Sequence, residues 1–421
     1  MLKKRIKVGI IGLGYVGLPL AIKFSLSGVK TFGFDTDEIK VKILNSGKSY
    51  IKFFPNNLIK KISKKNFIAT SDFSLVKKVD FIVMCLPTPL KKNKSPQMKF
   101  IKESFKKILP YLKKNQCLSL ESTTYPGTCE EIFVPKLKKK FNLGQNFYLV
   151  YSPEREDPGN KKYQLGKIPK IIGGFSKRCL KNGKAYYELA GINMVEVSNI
   201  KTAEFTKLLE NIYRSVNIGL VNELKLITTK LGVNIFEVIN SAKTKPFGFQ
   251  AFYPGPGYGG HCIPIDPFLL AWKAKQLKMK TQFIELSGKI NNSMPLKIVN
   301  KCISINKKKK TKVLIIGAAY KKNVDDMRES PALAIMDIFS KKKVSFEYHD
   351  PYIDVIPRLR NYNFKKKSII LSKKNIEKFD IILIITDHDK VNYNLILKYA
   401  KKIIDTRGKY YKLNSDKVIS V

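Results

Sequence analysis

The apolar positions of this chain fall into short dense runs separated by longer, more mixed stretches. Over the first 120 residues "KVGIIGLG", "KTFGFD", "VDFIVMCLP" and "QCLSLEST" read as strands, and segments such as "LPLAIKFSLSG" between them read as helices. Strands alternating with helices predict a parallel sheet with crossover helices. From Lys201 to Leu231 the chain has no proline and one glycine, which predicts a single helix of unusual length. After the lysine-rich stretch at 307–312 the alternation restarts with "KVLIIGAAY", "VSFEYHDP", "FDIILIITDHD" and "KKIIDTRG". The expected class is α/β, with two doubly wound parallel-sheet domains joined by a long central helix. No repeat of fixed period is evident, which sets solenoids aside.

At 421 residues and 44% apolar content the chain can bury two or three cores. Its longest apolar runs, such as Ile381 to Ile385, fall well short of the roughly 20 residues that cross a bilayer, so no membrane association is expected. The glycine-rich start "MLKKRIKVGIIGLGYVG" does not read as a signal peptide, and a cytoplasmic location is expected. The six cysteines form no CxxC pair and only three histidines are present. No metal is expected, and acid–base work falls to carboxylates and lysines. The net charge of +46 raises nucleic acid as a partner. Only eight of the 79 basic residues are arginine, however, and the lysines are scattered rather than gathered with aromatics on one face. The charge therefore reads as solvated surface, with no nucleic-acid partner expected, although it would also attract an anionic small substrate.

"GLGYVG" at Gly12 to Gly17 follows an apolar strand and opens a helix. Glycines at this spacing allow a tight turn, close approach of backbone to a pyrophosphate and close helix–strand packing, while the helix N-terminus attracts phosphate charge. A second strand ends at Asp35, 18 residues beyond Gly17, where an acid would bind a ribose 2′-hydroxyl and disfavour a 2′-phosphate. The cofactor is expected to be NAD on a Rossmann-like domain. Thr88 in "CLPTPL" and Thr123 in "ESTTYPGT" follow strands at the sheet edge where ligands bind, and face either the cofactor or their own turns.

Glu154 follows the strand "NFYLVYSP" within the charge-dense "YSPEREDPGN", which would project it into the crevice. On the long helix Lys207 and Asn211 share a face, continued by Arg214 and Asn217, as a solvated stripe or as donors aimed at a substrate oxygen. Glu204 and Glu210 lie off this row, as ordinary helix surface would. Cys262 sits in "PGPGYGGHCIPIDP". A lone intracellular cysteine is usually packing, but Gly257, Gly259 and Gly260 permit close backbone approach to a ligand, and four prolines stiffen the loop. A thiolate stabilised by His261 or a nearby lysine would be an activated nucleophile.

Together "GLGYVGLPLA", "CLPTPL", "ESTTYPGT", "SPER", "AEFTKLLEN", "PGPGYGGHCIPIDP" and "AYKKNVDDMRESPA", in this order, resemble the UDP-glucose/GDP-mannose dehydrogenase family, the nucleotide-sugar 6-dehydrogenases, over essentially the whole chain. The resemblance implies a Rossmann-like NAD-binding domain over 1–198, a central helical dimerisation and substrate region over 199–305, and a UDP-sugar-binding α/β domain over 312–421. It implies a homodimer through the central helix and a four-electron oxidation of a sugar C6 hydroxyl to a carboxylate. Cys262 would carry a thiohemiacetal and then a thioester, at the expense of two NAD.

By position in these motifs, Lys207 matches a lysine of proton transfer or oxyanion stabilisation, and Asn211 its partner at the same oxygen. Glu154 matches a glutamate of thioester hydrolysis, Asp266 an aspartate that positions water or lysine, and Thr123 joins the catalytic group. Cofactor binding is expected from Gly12, Gly14, Tyr15, Val16 and Gly17, from Asp35 and Lys40, and from Thr88, Thr123 and Arg328. Substrate binding is expected from Glu154, Arg155, Lys207, Asn211 and Arg214, from Phe252, Tyr253 and Gly259, and from Lys321 and Arg407. His261 and Ile265 look most like the branch acting on UDP-N-acetylglucosamine, in surface polysaccharide precursor synthesis. UDP-N-acetylgalactosamine, UDP-N-acetylmannosamine, UDP-glucose and GDP-mannose stay open. A two-electron hydroxyacid-type dehydrogenase would leave "GGHC" and the second α/β domain unexplained.

Overall fold

The structure is a computed structural model that describes residues 6–51, 54–91, 93–155, 168–260, 262–305, 311–359 and 362–420. Its chain divides into two compact units, Met1–Glu210 with Trp272–Lys278, and Asn211–Ala271 with Met279–Val421.

In the first unit the strands are β1 (Lys7–Ile11), β2 (Lys30–Phe34), β3 (Phe67–Thr70), β4 (Phe81–Met84), β5 (Cys117–Leu120), β6 (Tyr148–Tyr151), β7 (Lys170–Gly174) and β8 (Met194–Val197). They form a sheet of order β3-β2-β1-β4-β5-β6-β7-β8. Every pairing is parallel except β6 with β7, where Val150 faces Gly174 and Tyr151 faces Gly173 in antiparallel register. The expected parallel sheet thus holds apart from one pair. An apolar run such as "KIIGG" looks alike in either direction, because both faces of the strand are buried. Helix α1 (Gly17–Leu26) presents Leu18, Leu20, Ala21, Ile22 and Phe24 to a core shared with Val8, Ile10, Phe81 and Val83.

The long helix α2 (Ile200–Lys230) runs unbroken for 31 residues, and the boundary between the two units falls within it, after Glu210. In the second unit α3 (Ile235–Ala242) starts where the Asn234 side chain accepts from the Phe236 and Glu237 amides. Helix α4 begins at Asp266, directly after the Cys262 loop, and runs to Gln276, with the division between the units falling after its Ala271. Helix α5 (Gln282–Ile305) precedes a second sheet, β10-β9-β11-β12-β13, made of β9 (Lys312–Ile316), β10 (Ser345–His349), β11 (Ile381–Ile384), β12 (Ile403–Asp405) and β13 (Val418–Ser420). All its pairings are parallel. Two cores flank it, one built on Ile298, Val313, Ile315, Leu333 and Phe339, the other on Leu314, Ile316, Ile382 and Ile396.

Candidate active site

The turn after β1 is shaped by its glycines. Gly12 has φ +90°, and a Cβ there would lie 2.4 Å from the Cys85 carbonyl oxygen; one at Gly17 would lie 1.9 Å from that of Gly12. Between them a Cβ at Gly14 would meet nothing within 4 Å. Two glycines are therefore needed by the protein's own backbone, and the third leaves a cradle open where α1 starts. Asp35, at the end of β2, accepts the Leu13 amide at 2.9 Å and the Asp37 amide at 3.0 Å, which holds its carboxylate beside that cradle. The Tyr50 hydroxyl donates to the Leu13 carbonyl, and Lys40 pairs with Asp37 at 3.6 Å while lying 5.8 Å from the Tyr50 ring centroid. An open phosphate cradle with an acid beside it fits a dinucleotide with a 2′-hydroxyl ribose. Thr88 uses its hydroxyl to donate to the Thr123 carbonyl at 2.7 Å, so it ties the loops after β4 and β5 together.

At the other side of this sheet edge lies a buried charge cluster. Lys170, the first residue of β7, reaches Glu154 at 2.7 Å and Glu121 at 3.1 Å. Glu121 also accepts from the Tyr187 hydroxyl at 2.7 Å, and Tyr187 shares a 2.8 Å hydrogen bond with Ser119. Burial pushes the Glu121 carboxyl up, outweighing the Lys170 charge. Burial also pushes Glu154 up, but Lys170, the Arg155 amide and the Lys207 charge together hold it below the usual range. Arg155 itself pairs with Glu210 of α2 at 2.7 Å. Lys207 is 8% exposed.

Glu204 corrects an expectation. Rather than lying on the helix surface, it is fully buried and accepts from the Gly127 amide at 2.6 Å and the Cys129 amide at 3.0 Å. Its spacing on α2 marked it as off the polar row, but the loop after β5 covers that face. Burial pushes its carboxyl up to about 7 against these two donors. Glu210 is half-buried in its ion pair.

In the second unit Cys262 is exposed, whereas the other five cysteines are buried. Its carbonyl accepts the Ile265 and Asp266 amides at 3.0 and 2.8 Å, a turn that leads straight into α4. Asp266 is buried and accepts from the Asn211 side-chain amide at 2.6 Å. His261 lies outside the described residues. The loop glycines are also crowded by the protein itself. Cβ atoms at Gly257, Gly259 and Gly260 would lie 2.9 Å from the Asn291 oxygen, 2.8 Å from Pro331 and 2.8 Å from the Tyr320 ring. The close approach there is made by this chain's own α5 and β9 loop.

Arg407, after β12, donates from Nε to the Ile385 carbonyl at 2.7 Å, and its guanidinium lies 2.6 Å from where a Cβ on Gly255 would stand. Arg328 is held in a two-pronged pair with Asp326, at 2.6 and 3.0 Å. Phe252 packs edge-on against Tyr213, and the Tyr253 hydroxyl donates to Asn240 at 2.7 Å. Arg214 is exposed, and Lys321 is half-buried in the loop after β9. Within each unit the structure gathers the expected residues: Gly12, Gly14, Gly17 and Asp35, and Glu154 with Arg155, in the first; Asn211, Cys262 and Asp266 in the second.

Three family models cover most of the chain. Residues 6–190 match the NAD binding domain of the UDP-glucose/GDP-mannose dehydrogenase family, 201–293 its central domain and 314–412 its UDP binding domain. UDP-N-acetyl-D-mannosamine dehydrogenase of Methanocaldococcus jannaschii is 33% identical over 96% of this chain and 92% of its own. The chain belongs to the UDP-glucose/GDP-mannose dehydrogenase family. UDP-N-acetyl-D-glucosamine 6-dehydrogenase of Pseudomonas aeruginosa is 30% identical over 85% of this chain and 86% of its own. Among solved structures, a UDP-D-ManNAc dehydrogenase from Pyrococcus horikoshii superposes with a TM-score of 0.87 at 29% identity, covering 99% of both chains. This family member is an NAD-dependent oxidoreductase that acts on a CH–OH group of a nucleotide sugar. Among the described residues no helix is long and apolar enough to cross a membrane.

Several buried polar groups of this dehydrogenase fold carry no motif signal. Lys170 opens a strand buried along its whole length, so in sequence it reads as a strand-edge lysine. Its one clue is that "IPKIIGG" sets a charge where an apolar residue would pack. Thr124 and Ser152 bury hydroxyls that find no hydrogen-bond partner among the described residues, as does the Lys225 ammonium. Lys225 is fully buried on α2, 5.3 Å from the Phe236 ring centroid.

Proposed function

We propose that this dehydrogenase oxidises the C6 hydroxyl of a UDP-N-acetylhexosamine to the carboxylate in two hydride transfers, with Cys262 as the covalent nucleophile. The observation that carries this reading is the exposure of Cys262 alone among six cysteines, on a turn that also delivers Asp266 to Asn211. NAD, held at the Gly12–Gly17 turn and Asp35, would supply the hydride acceptor for each oxidation. Lys207 and Asn211 steady the sugar oxygen as charge develops on it in the first oxidation. The thiolate of Cys262 adds to the resulting aldehyde carbon, and loss of a second hydride with the hydroxyl proton leaves a thioester. Water then adds to the thioester carbon, its proton passes to Glu154, and the C–S bond breaks with its electron pair returning to sulfur. A covalent adduct retains the aldehyde, which would otherwise be hydrated or lost.

Similarity favours the manno configuration at C2, since the relatives from Methanocaldococcus and Pyrococcus carry that substrate in their names. The gluco configuration expected from His261 and Ile265 is supported by the Pseudomonas relative. The C2 choice rests on contacts worth about 1–3 kcal/mol each. A panel of UDP-sugars scored for NADH and acid tests both readings: two NADH per sugar are expected, from the mannosamine epimer first, and one NADH per sugar defeats the thioester route. A homodimer through α2 is part of the same reading. Phe205, Leu209, Tyr213, Leu220, Leu224 and Ile227 form an exposed apolar row along it, and a monomeric mass in solution would exclude that assembly.

A further inference from the structure

We propose that Lys170 is the positioning residue for Glu154, and that Glu121 is its standing counterion, so that the hydrolytic base can take up a proton without stranding a buried charge. This rests on the assignment of Glu154 to thioester hydrolysis. Both oxygens of Glu154 are held. Oε1 accepts from the Arg155 amide at 2.7 Å and Oε2 from the Lys170 ammonium at 2.7 Å, so the carboxylate plane is set by β7 and by the chain leaving β6. Lys170 is 4% exposed and lies in a strand with every residue buried, where an apolar side chain would serve packing alone.

The charge arithmetic explains the third member. When water attacks the thioester, its oxygen bonds to the carbonyl carbon and its proton goes to Glu154, which loses its charge. With Glu154 as its only partner, the Lys170 ammonium would then be buried and uncompensated, a heavily penalised state. Glu121, 3.1 Å away, keeps a carboxyl beside it throughout. The two carboxyls are driven apart by their surroundings, Glu121 up through burial and Glu154 down through Lys170, its own amide contact and Lys207. The Lys170 charge and the hydrogen bonds from Tyr187 and Lys170 favour the charged form of Glu121 against its burial. The charged and titratable groups around this cluster come from every neighbouring element. They are Lys207 and Glu210 on α2, Arg155 after β6, Tyr187 on the helix Lys177–Leu189, and Cys85 after β4, whose thiol lies 3.8 Å from Glu121.

The test follows decay of the Cys262 thioester in a single turnover by rapid quench and protein mass spectrometry, as a function of pH, with NADH recorded in parallel. In Lys170→Met the two-NADH burst is retained and the acid limb of thioester decay moves up by about one pH unit or more, because Glu154 loses its cation. Lys170→Arg restores the wild-type limb. Glu121→Gln moves the limb down, because a like charge is removed and Lys170 is left to Glu154. Limbs that stay at the wild-type position in both variants, or move the same way, overturn the role of Lys170. If Lys170→Met does not fold by circular dichroism, Glu121→Gln decides alone, and a limb that stays or rises overturns the proposal. A wild-type enzyme that forms no Cys262 thioester overturns the parent reading and this one with it, whereas a normal thioester with unmoved limbs overturns only this one.

Discussion

Replacing Lys225 by methionine should stabilise this protein at neutral pH and should do so less as pH rises. The ammonium is fully buried with no hydrogen-bond partner among the described residues. Burial lowers its pKa from 10.5 to about 7, the nearby Asp405 charge raising it and Arg407 lowering it. Between these two values the unfolded chain binds more protons than the native one, so native stability rises with pH across that window. At 1.36 kcal/mol per unit, the lysine costs about 4–5 kcal/mol when fully protonated and about 4 kcal/mol at pH 7, and nothing once pH passes its ordinary value. Methionine keeps the length, removes the charge and packs well against the Phe236 ring. A gain of about 2–4 kcal/mol is expected at pH 7, allowing for the lost cation–π contact, and it should shrink steadily towards pH 10.

Urea titrations by circular dichroism at pH 7, 8 and 9 measure this directly. Trp272 is the single tryptophan, and its fluorescence gives a second probe of the transition. Variant and wild-type curves that run parallel across that range, or a variant less stable at pH 7, would refute the reasoning. Either result would mean that Lys225 is solvated or paired in the folded protein.

Other perturbations test other parts of the site. Glu204 has a folded value near 7 against an ordinary 4.5, so the native state binds the extra proton between them and stability falls as pH rises through that window, by at most about 3 kcal/mol; Glu204→Gln should flatten this slope in thermal melts. Gly14→Ala should leave stability within about 0.5 kcal/mol yet weaken NAD binding by titration calorimetry, whereas Gly17→Ala should lose about 1–3 kcal/mol or more because its Cβ meets the Gly12 carbonyl. Equal losses of stability in the two would mean that Gly14 is structural. Cys262→Ser should retain NAD affinity while acid formation falls by orders of magnitude; near-normal acid production would remove Cys262 from the chemistry.

Much of this protein could be read from one dimension, for reasons that are local. Strand runs and the proline-free stretch from 201 to 231 specify their own conformation by period, and α2 appeared within one residue of its expected ends. Gly12 to Gly17 and Asp35 are legible because a phosphate-binding turn is built from consecutive backbone and one strand end. The "HCIPIDP" loop could be singled out because glycine and proline constrain backbone wherever they stand. None of these inferences needs a partner from far along the chain.

What the tertiary structure decided is which polar groups became interior. Glu204 and Lys170 are individually unremarkable letters, and only the packing of the loop after β5 and of β7 against β6 removes them from water. The same holds for the antiparallel β6–β7 pairing and for the loop glycines, whose close protein neighbours lie on α5 and the β9 loop. Burial and charge pairing are set by distances between segments tens of residues apart, so the electrostatic character of Glu154, Glu121 and Lys225 belongs to the fold. The sequence by itself determined the elements, the cofactor turn and the candidate nucleophile. The fold determined their protonation, because desolvation and Coulomb interactions act through space.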